Sequence, residues 1–178
     1  MLYIVGGLSK VGKTRVAELL LSQNAVSYLS TDLIIEMLEE NQVQKFNADV
    51  RTSNFEPYLE SIVRLGPAYH KDICIEGNAF TPKQIQKIKS VTECEIRECF
   101  LGMSSSDIDT ILKYAGPDTW LLEDKTEEYR KNYPNLLSDQ SKRLEAECKH
   151  YNCTYFDMAD NYSDSLNRVY QYMLNGKK

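Results

Sequence analysis

No apolar stretch of this chain approaches the ~20 residues that a membrane-spanning helix needs, which argues against a transmembrane protein. No leader is expected either. Residues 1–5 read Met-Leu-Tyr-Ile-Val and meet Gly6 and Gly7 at once, which leaves no room for a signal peptide. Positive charge is in deficit: 21 Lys and Arg stand against 26 Asp and Glu, a net charge of -5. The basic face of a nucleic-acid binder is therefore missing, although an acidic protein can still hold a small basic pocket for an anion. Internal repeats and low-complexity linkers are absent, so no tethered second domain is expected. Histidine is scarce, and neither His70 nor His150 sits in a motif. Cys148, His150 and Cys153 fall close together but lack a fourth ligand at a zinc spacing, so packed or surface thiols are expected. The five cysteines, an odd number without a leader, point to reduced thiols in a cytoplasmic protein.

What is present is the composition of an ordinary globular chain, long enough at 178 residues for one domain with one sizeable core. Short apolar runs alternate with segments of helical period, the pattern of a parallel sheet with helices on both faces. Residues 2–5, 26–30, 72–75, 95–101 and 154–157 read as strands. Val16, Ala17, Leu19 and Leu20 mark a helix over residues 13–23, and Thr31 is expected to cap another running to Glu40. Residues 41–54 read as a polar loop. Leu59, Ile62, Val63 and Tyr69 mark a third helix, which Gly66-Pro67 is expected to end or kink. Thr81-Pro82-Lys83-Gln84 has the form of a helix start: a threonine cap, proline in the first turn and glutamine three residues on. Ile108, Ile111 and Leu112 follow a serine run as a further helix, and Leu166, Val169, Tyr170 and Met173 stripe the last. The least patterned stretch is 115–134, which holds Trp120.

The strongest chemical signal spans residues 7–14: Gly7, Leu8, Ser9, Lys10, Val11, Gly12, Lys13 and Thr14. The two glycines let the backbone turn and approach oxygens closely. The loop amides can then surround phosphates, and the following helix adds the positive end of its dipole. Lys13 is expected to reach the β- and γ-phosphates of a nucleoside triphosphate, and Thr14 to ligate Mg²⁺. The preceding apolar strand and the following amphipathic helix are the context this mechanism requires. Two acids complete the constellation. Asp32 follows the second strand and Glu76 the third, and strand C-termini in a parallel sheet form the ligand crevice. A carboxylate there can ligate metal, hold its water shell or accept a proton from an attacking hydroxyl. Each acid also has a plain reading, Asp32 as a first-turn acid favoured by the helix dipole and Glu76 as a loop acid.

The phosphate loop, Ser30-Thr31-Asp32 and Glu76-Gly77-Asn78 together resemble the small P-loop kinases, the group of shikimate kinase, gluconate kinase, chloramphenicol phosphotransferase and 2-phosphoglycerate kinase. The resemblance implies an α/β three-layer sandwich of the P-loop NTPase type, with a five-stranded parallel sheet in the order 2-3-1-4-5. It implies that Asp32 holds or deprotonates the acceptor hydroxyl, and that Glu76 lies near Mg²⁺. By the same resemblance, residues 115–134 form a lid and the loop after Asp157 lies near the adenine. Such lids offer arginines to the transferring phosphate. Here the lid carries Lys125, Arg130 and Lys131, so Arg130 is the catalytic candidate, with Arg143 on the next helix as a substitute. Leu33, Ile34 and Ile35 follow Asp32 where kinases of phosphorylated acceptors carry a basic residue, which favours a neutral hydroxyl compound.

The resulting expectation is a cytoplasmic kinase, monomer or homodimer, that uses ATP and Mg²⁺ on a small hydroxyl-bearing molecule without nucleic acid or membrane. Two alternatives stand beside it. A nucleoside or nucleotide kinase would hold a phosphate with Lys45, Arg51, Arg64 or Lys71. A non-catalytic ATP-binding regulator would explain the thin basic content of the lid.

Overall fold

A computed structural model describes residues 1–47, 50–115 and 125–176. They form β1 (Leu2–Gly7), α1 (Lys13–Asn24), β2 (Ser27–Ser30), α2 (Thr31–Glu40), α3 (Arg51–Tyr69) and β3 (Ile73–Glu76). There follow α4 (Pro82–Val91), β4 (Ile96–Gly102), α5 (Ile108–Ala115), α6 (Glu127–His150), β5 (Tyr155–Asp157) and α7 (Tyr162–Asn175). The five strands make one sheet in the order β2-β3-β1-β4-β5, and every neighbouring pair is parallel. The expected α/β architecture and strand order are both present. Among the described residues no helix is long and apolar enough to cross a membrane.

β1 is buried along its whole length, as a central parallel strand must be. Alternate residues serve opposite layers. Tyr3 and Val5 pack with Val16, Ala17 and Leu20 of α1, Ile111 of α5, and Val169 and Met173 of α7. Leu2 and Ile4 pack with Ile35 of α2, Phe55, Leu59 and Val63 of α3, and Ile85 and Ile88 of α4. Each such side chain, fully buried, is worth ~1.5–3 kcal/mol before entropy is counted. The long helix α6 supplies Tyr133 and Leu137 to the first layer and Cys148 to the second, so it passes from one face of the sheet to the other. Glu98 would be a buried charge in β4, but Lys89 of α4 pairs with it.

Four local expectations change. The third helix runs through both Pro57 and Pro67 and ends only at Tyr69, because Phe55, Leu59 and Val63 bury one continuous face that outweighs the missing ladder bonds. It also begins at Arg51, so the loop before it is shorter than residues 41–54. That loop is pinned by Phe46, which is buried against Phe55 and Tyr58 and whose amide donates to Glu39 Oε1 at 2.8 Å. Thr31 is the first helical residue of α2 rather than its cap, which is Ser30. Finally, residues 127–134 of the unpatterned stretch are helical, capped by Thr126 and continuous through Pro134. Residues 116–124, with Trp120, lie outside the described residues. The α4 start is as expected: Gln84 N donates to Thr81 Oγ1 at 3.3 Å and Thr81 N to Gln84 Oε1 at 2.9 Å.

Candidate phosphate and acceptor site

The site sits at the C-terminal ends of β1, β2 and β3, where a doubly wound sheet opens its crevice. β1 leaves the sheet at Gly7, whose φ of +126° suits glycine alone among the common residues. A Cβ there would lie 2.1 Å from the carbonyl oxygen of Leu101 on β4, so no side chain fits. Leu8 N donates to that same oxygen at 3.0 Å and fixes where the loop departs. Beyond it, no described residue accepts a hydrogen bond from the amides of Ser9, Lys10, Val11 or Gly12. Lys13 is buried at the head of α1, and its ammonium donates to Leu8 O at 2.6 Å, folding the side chain back over the loop. Burial lowers the Lys13 pKa. Glu76 and Asp32 oppose that shift, while Lys10 and Arg51 add to it.

Glu76 ends β3 and is 4% exposed. Burial raises its pKa, against the hydrogen bond from Ser30, the charge of Lys13 and the hydrogen bond from Thr14. Sequence reading placed Glu76, Lys13 and Thr14 at one site, and the fold brings the three together. Thr14 is exposed, and its hydroxyl reaches the Glu76 carboxylate. The donor set suits a polyphosphate and its cation: four amides without acceptors, a buried ammonium, an exposed hydroxyl and a carboxylate behind it.

Asp32 stands in the first turn of α2 and is paired with Arg51, the first residue of α3. The same guanidinium donates through Nε to Asn78 Oδ1 at 3.0 Å. Asn78 in turn donates to Ser9 Oγ at 3.4 Å. The chain Asp32, Arg51, Asn78, Ser9 thus ties the crevice wall to the phosphate loop. Between Glu76 and Asn78, Gly77 packs against the Thr31 hydroxyl, which is fully buried and has no partner among the described residues. Neither the Asp32–Arg51 pair nor the Asn78 bridge is visible in sequence, since the three residues come from separate elements. The available hint was the turn motif Glu76-Gly77-Asn78 and the basic residue near position 51.

The lid-side candidate behaves differently. Arg130 donates through Nε and Nη2 to the carbonyl of Lys125, at 3.1 and 3.0 Å, so its fork closes on its own helix start. One turn further, Tyr133 donates to Ser9 O at 3.4 Å, a loop contact that sequence reading missed. Burial raises the Tyr133 hydroxyl to about 12, so it donates at neutral pH. Arg143 is exposed on α6. On the other side of the loop the Tyr162 hydroxyl packs over Gly12. Next to it a cleft of about 230 Å³ is lined by Met103, Ser106, Met158, Ala159 and Asn161. Cys148 is buried in the second layer, and Cys153 donates to Pro82 O at 3.6 Å.

Neither a protein-family model nor a curated protein matches the chain. Solved structures do. A gluconokinase from Sinorhizobium meliloti 1021 is 13% identical, with 99% of this chain and 97% of that one covered at a TM-score of 0.54. A shikimate kinase from Bacteroides thetaiotaomicron is 12% identical, with 98% of each chain covered and a TM-score of 0.56. A sugar kinase from Janibacter sp. HTCC2649 is 14% identical, with 97% and 93% covered and a TM-score of 0.56. At such identities the likeness concerns fold, and the fold of this chain is that of the small P-loop kinases.

Proposed function

We propose that the protein is an ATP-dependent phosphotransferase that moves the γ-phosphoryl group of ATP to a hydroxyl of a small molecule. The observation that carries this reading is the Asp32–Arg51 pair, electrostatically coupled to Lys10 and Lys13 and wired through Asn78 to Ser9 of the phosphate loop. A protein that only bound a triphosphate would need the loop but no acid and base-bearing wall opposite it.

In this reading the amides of residues 9–12 and the Lys13 ammonium hold the β- and γ-phosphates. Thr14, with Glu76 behind it, would hold Mg²⁺, which supplies charge neutralisation at the phosphate oxygens. Asp32 accepts the proton of the acceptor hydroxyl as that oxygen bonds to the γ-phosphorus. The bond from phosphorus to the β–γ bridging oxygen breaks, and ADP leaves. Arg51 holds the carboxylate in place and brings a positive charge to the acceptor side. That charge suits an acceptor with an anionic group beside its hydroxyl, in place of the neutral compound favoured by Leu33, Ile34 and Ile35. The cleft beside Tyr162 is the candidate for the base.

One observation favours a second reading. Arg130 is engaged with the Lys125 carbonyl instead of the crevice, as a nucleotide-binding regulator without transfer would allow. The separating experiment is transfer of labelled phosphate from ATP across a panel of neutral and anionic hydroxyl compounds. With an acceptor found, Asp32→Asn is expected to lower kcat by roughly 10² to 10⁴ with ATP affinity retained, the usual worth of a general base. Tight ATP binding with no transfer to any compound would refute the kinase reading and leave the regulator.

A further inference from the structure

Phosphoryl transfer places charge on the equatorial oxygens of the moving group, and a positioned cation there is a large part of catalysis. The cations near the crevice can be taken in turn. Lys13 belongs to the loop's hold on the β- and γ-phosphates. Arg51 is bound to Asp32 and Asn78, on the acceptor side. Arg130 closes on Lys125 O. Lys131 pairs with Glu127 at 2.7 Å and Arg15 with Glu18 at 2.6 Å, both on exposed helix surfaces.

Lys10 is different. It sits at the crest of the phosphate loop, between Gly7 and Gly12, and is half-buried. Its φ is +64°, a left-handed conformation that a lysine adopts only under strain and a glycine would adopt freely. Strain kept in a loop of this kind is an observed outlier from which a role can be argued. Among the described residues, no carboxylate or carbonyl is bonded to its ammonium. It lies next to Ser9, whose hydroxyl accepts from Asn78, the partner of Arg51 and through it of Asp32, and three residues before Lys13. The loop thus carries this residue between the wall proposed to bind the acceptor and the lysine proposed to bind the donor, and its charge acts on Lys13 as that of Asp32 acts on it.

We infer that Lys10 contacts the transferring phosphoryl group and stabilises its transition-state charge, a task for which the chain then needs no lid arginine. The inference rests on the kinase reading above and adds a residue to it.

The test uses Lys10→Gln, Lys10→Gly and Lys10→Arg in the whole chain, with three measurements. Affinity for a magnesium complex of a non-hydrolysable ATP analogue is expected to change less than about threefold for Lys10→Gln, because the amides and Lys13 remain. Slow ATP hydrolysis without acceptor is expected to fall by roughly 10² to 10³, the size seen when one transition-state donor is removed. Capture of ADP with magnesium and aluminium fluoride, which mimics the planar phosphoryl group, is expected to be lost in Lys10→Gln and Lys10→Gly and largely restored in Lys10→Arg. Lys10→Gly also relieves the strained backbone, so it is expected to fold at least as stably as wild type, which makes a folding defect an insufficient explanation for its losses. If Lys10→Gln captures the fluoride complex as well as wild type, or loses analogue and fluoride complex equally, the inference is wrong while the kinase reading stands. If the wild type itself neither hydrolyses ATP nor captures the fluoride complex, the kinase reading fails and the inference falls with it.

Discussion

Replacing Gly77 by alanine puts a methyl group where the structure has none to spare. The new Cβ would lie 1.7 Å from Thr31 Oγ1 and 2.8 Å from Thr31 Cβ, far inside van der Waals contact. Thr31 is fully buried at the start of α2, with little space to retreat into. The backbone adds a second cost, because φ at Gly77 is +152°, in a region that side-chain-bearing residues avoid. Strain of this kind costs about 1–3 kcal/mol, and an overpacked methyl costs about 1–3 kcal/mol more. The expected loss is therefore roughly 2–6 kcal/mol out of a total stability of ~5–15 kcal/mol. For a chain of this size that lowers Tm by roughly 5–20 °C. Urea unfolding followed by circular dichroism measures it as a shift in midpoint at constant slope. Thr31→Ala relieves the worst of the contact. It removes the colliding hydroxyl and methyl but leaves the residue's own Cβ 2.8 Å away and the backbone strain, so the double variant is expected to recover about 0.5–2 kcal/mol relative to additivity. An unchanged midpoint in Gly77→Ala would refute the turn geometry. A large loss with no recovery in the double variant would refute the Thr31 contact and leave only the backbone term. Because Glu76 and Asn78 flank the turn, analogue affinity is expected to fall with stability.

Two further outcomes are expected. Lys13→Met removes an ammonium that burial disfavours while keeping the shape, so apo Tm is expected to rise while calorimetry shows Mg–ATP affinity lost; a lower apo Tm would mean the Leu8 and Glu76 contacts outweigh desolvation. Burial raises the Cys153 thiol from 9.0 to about 11, so it should react slowly with thiol reagents at pH 8; its contribution to stability is whole below about pH 9 and lost as pH rises through about 11, a slope that Cys153→Ala should flatten.

Pattern reading reached the elements whose signals are local. The phosphate loop announces itself because its conformation requires glycine, lysine and a hydroxyl at fixed spacing. The α4 start was legible because a capping box involves only Thr81 and Gln84. What failed or was missed depended on distant partners. Gly66-Pro67 reads as an end or a kink, and only the buried face of Phe55, Leu59 and Val63 decides that α3 runs on to Tyr69. Thr31 reads as a cap until the Ser30 hydroxyl is seen turning to Glu76 and Thr31 to Gly77. Arg51 reads as one basic residue among several, since its partners Asp32 and Asn78 are set by how the loop through buried Phe46 returns to the sheet. Arg130 stands out from Lys125 and Lys131 in sequence as the lid's arginine, but its closing on the Lys125 carbonyl depends on how the helix start folds.

The strand order has a kinetic consequence. β1 is made long before its partners, residues 73–76 and 96–102, and Gly7 is held against Leu101. No neighbouring pair of strands is joined by a short hairpin, so every sheet contact must close a long loop before it gains anything. During synthesis, therefore, the phosphate loop cannot take shape until the chain has emerged through Leu101. β1 waits unpaired through that interval, an apolar strand with open edges of the kind that pairs with other chains.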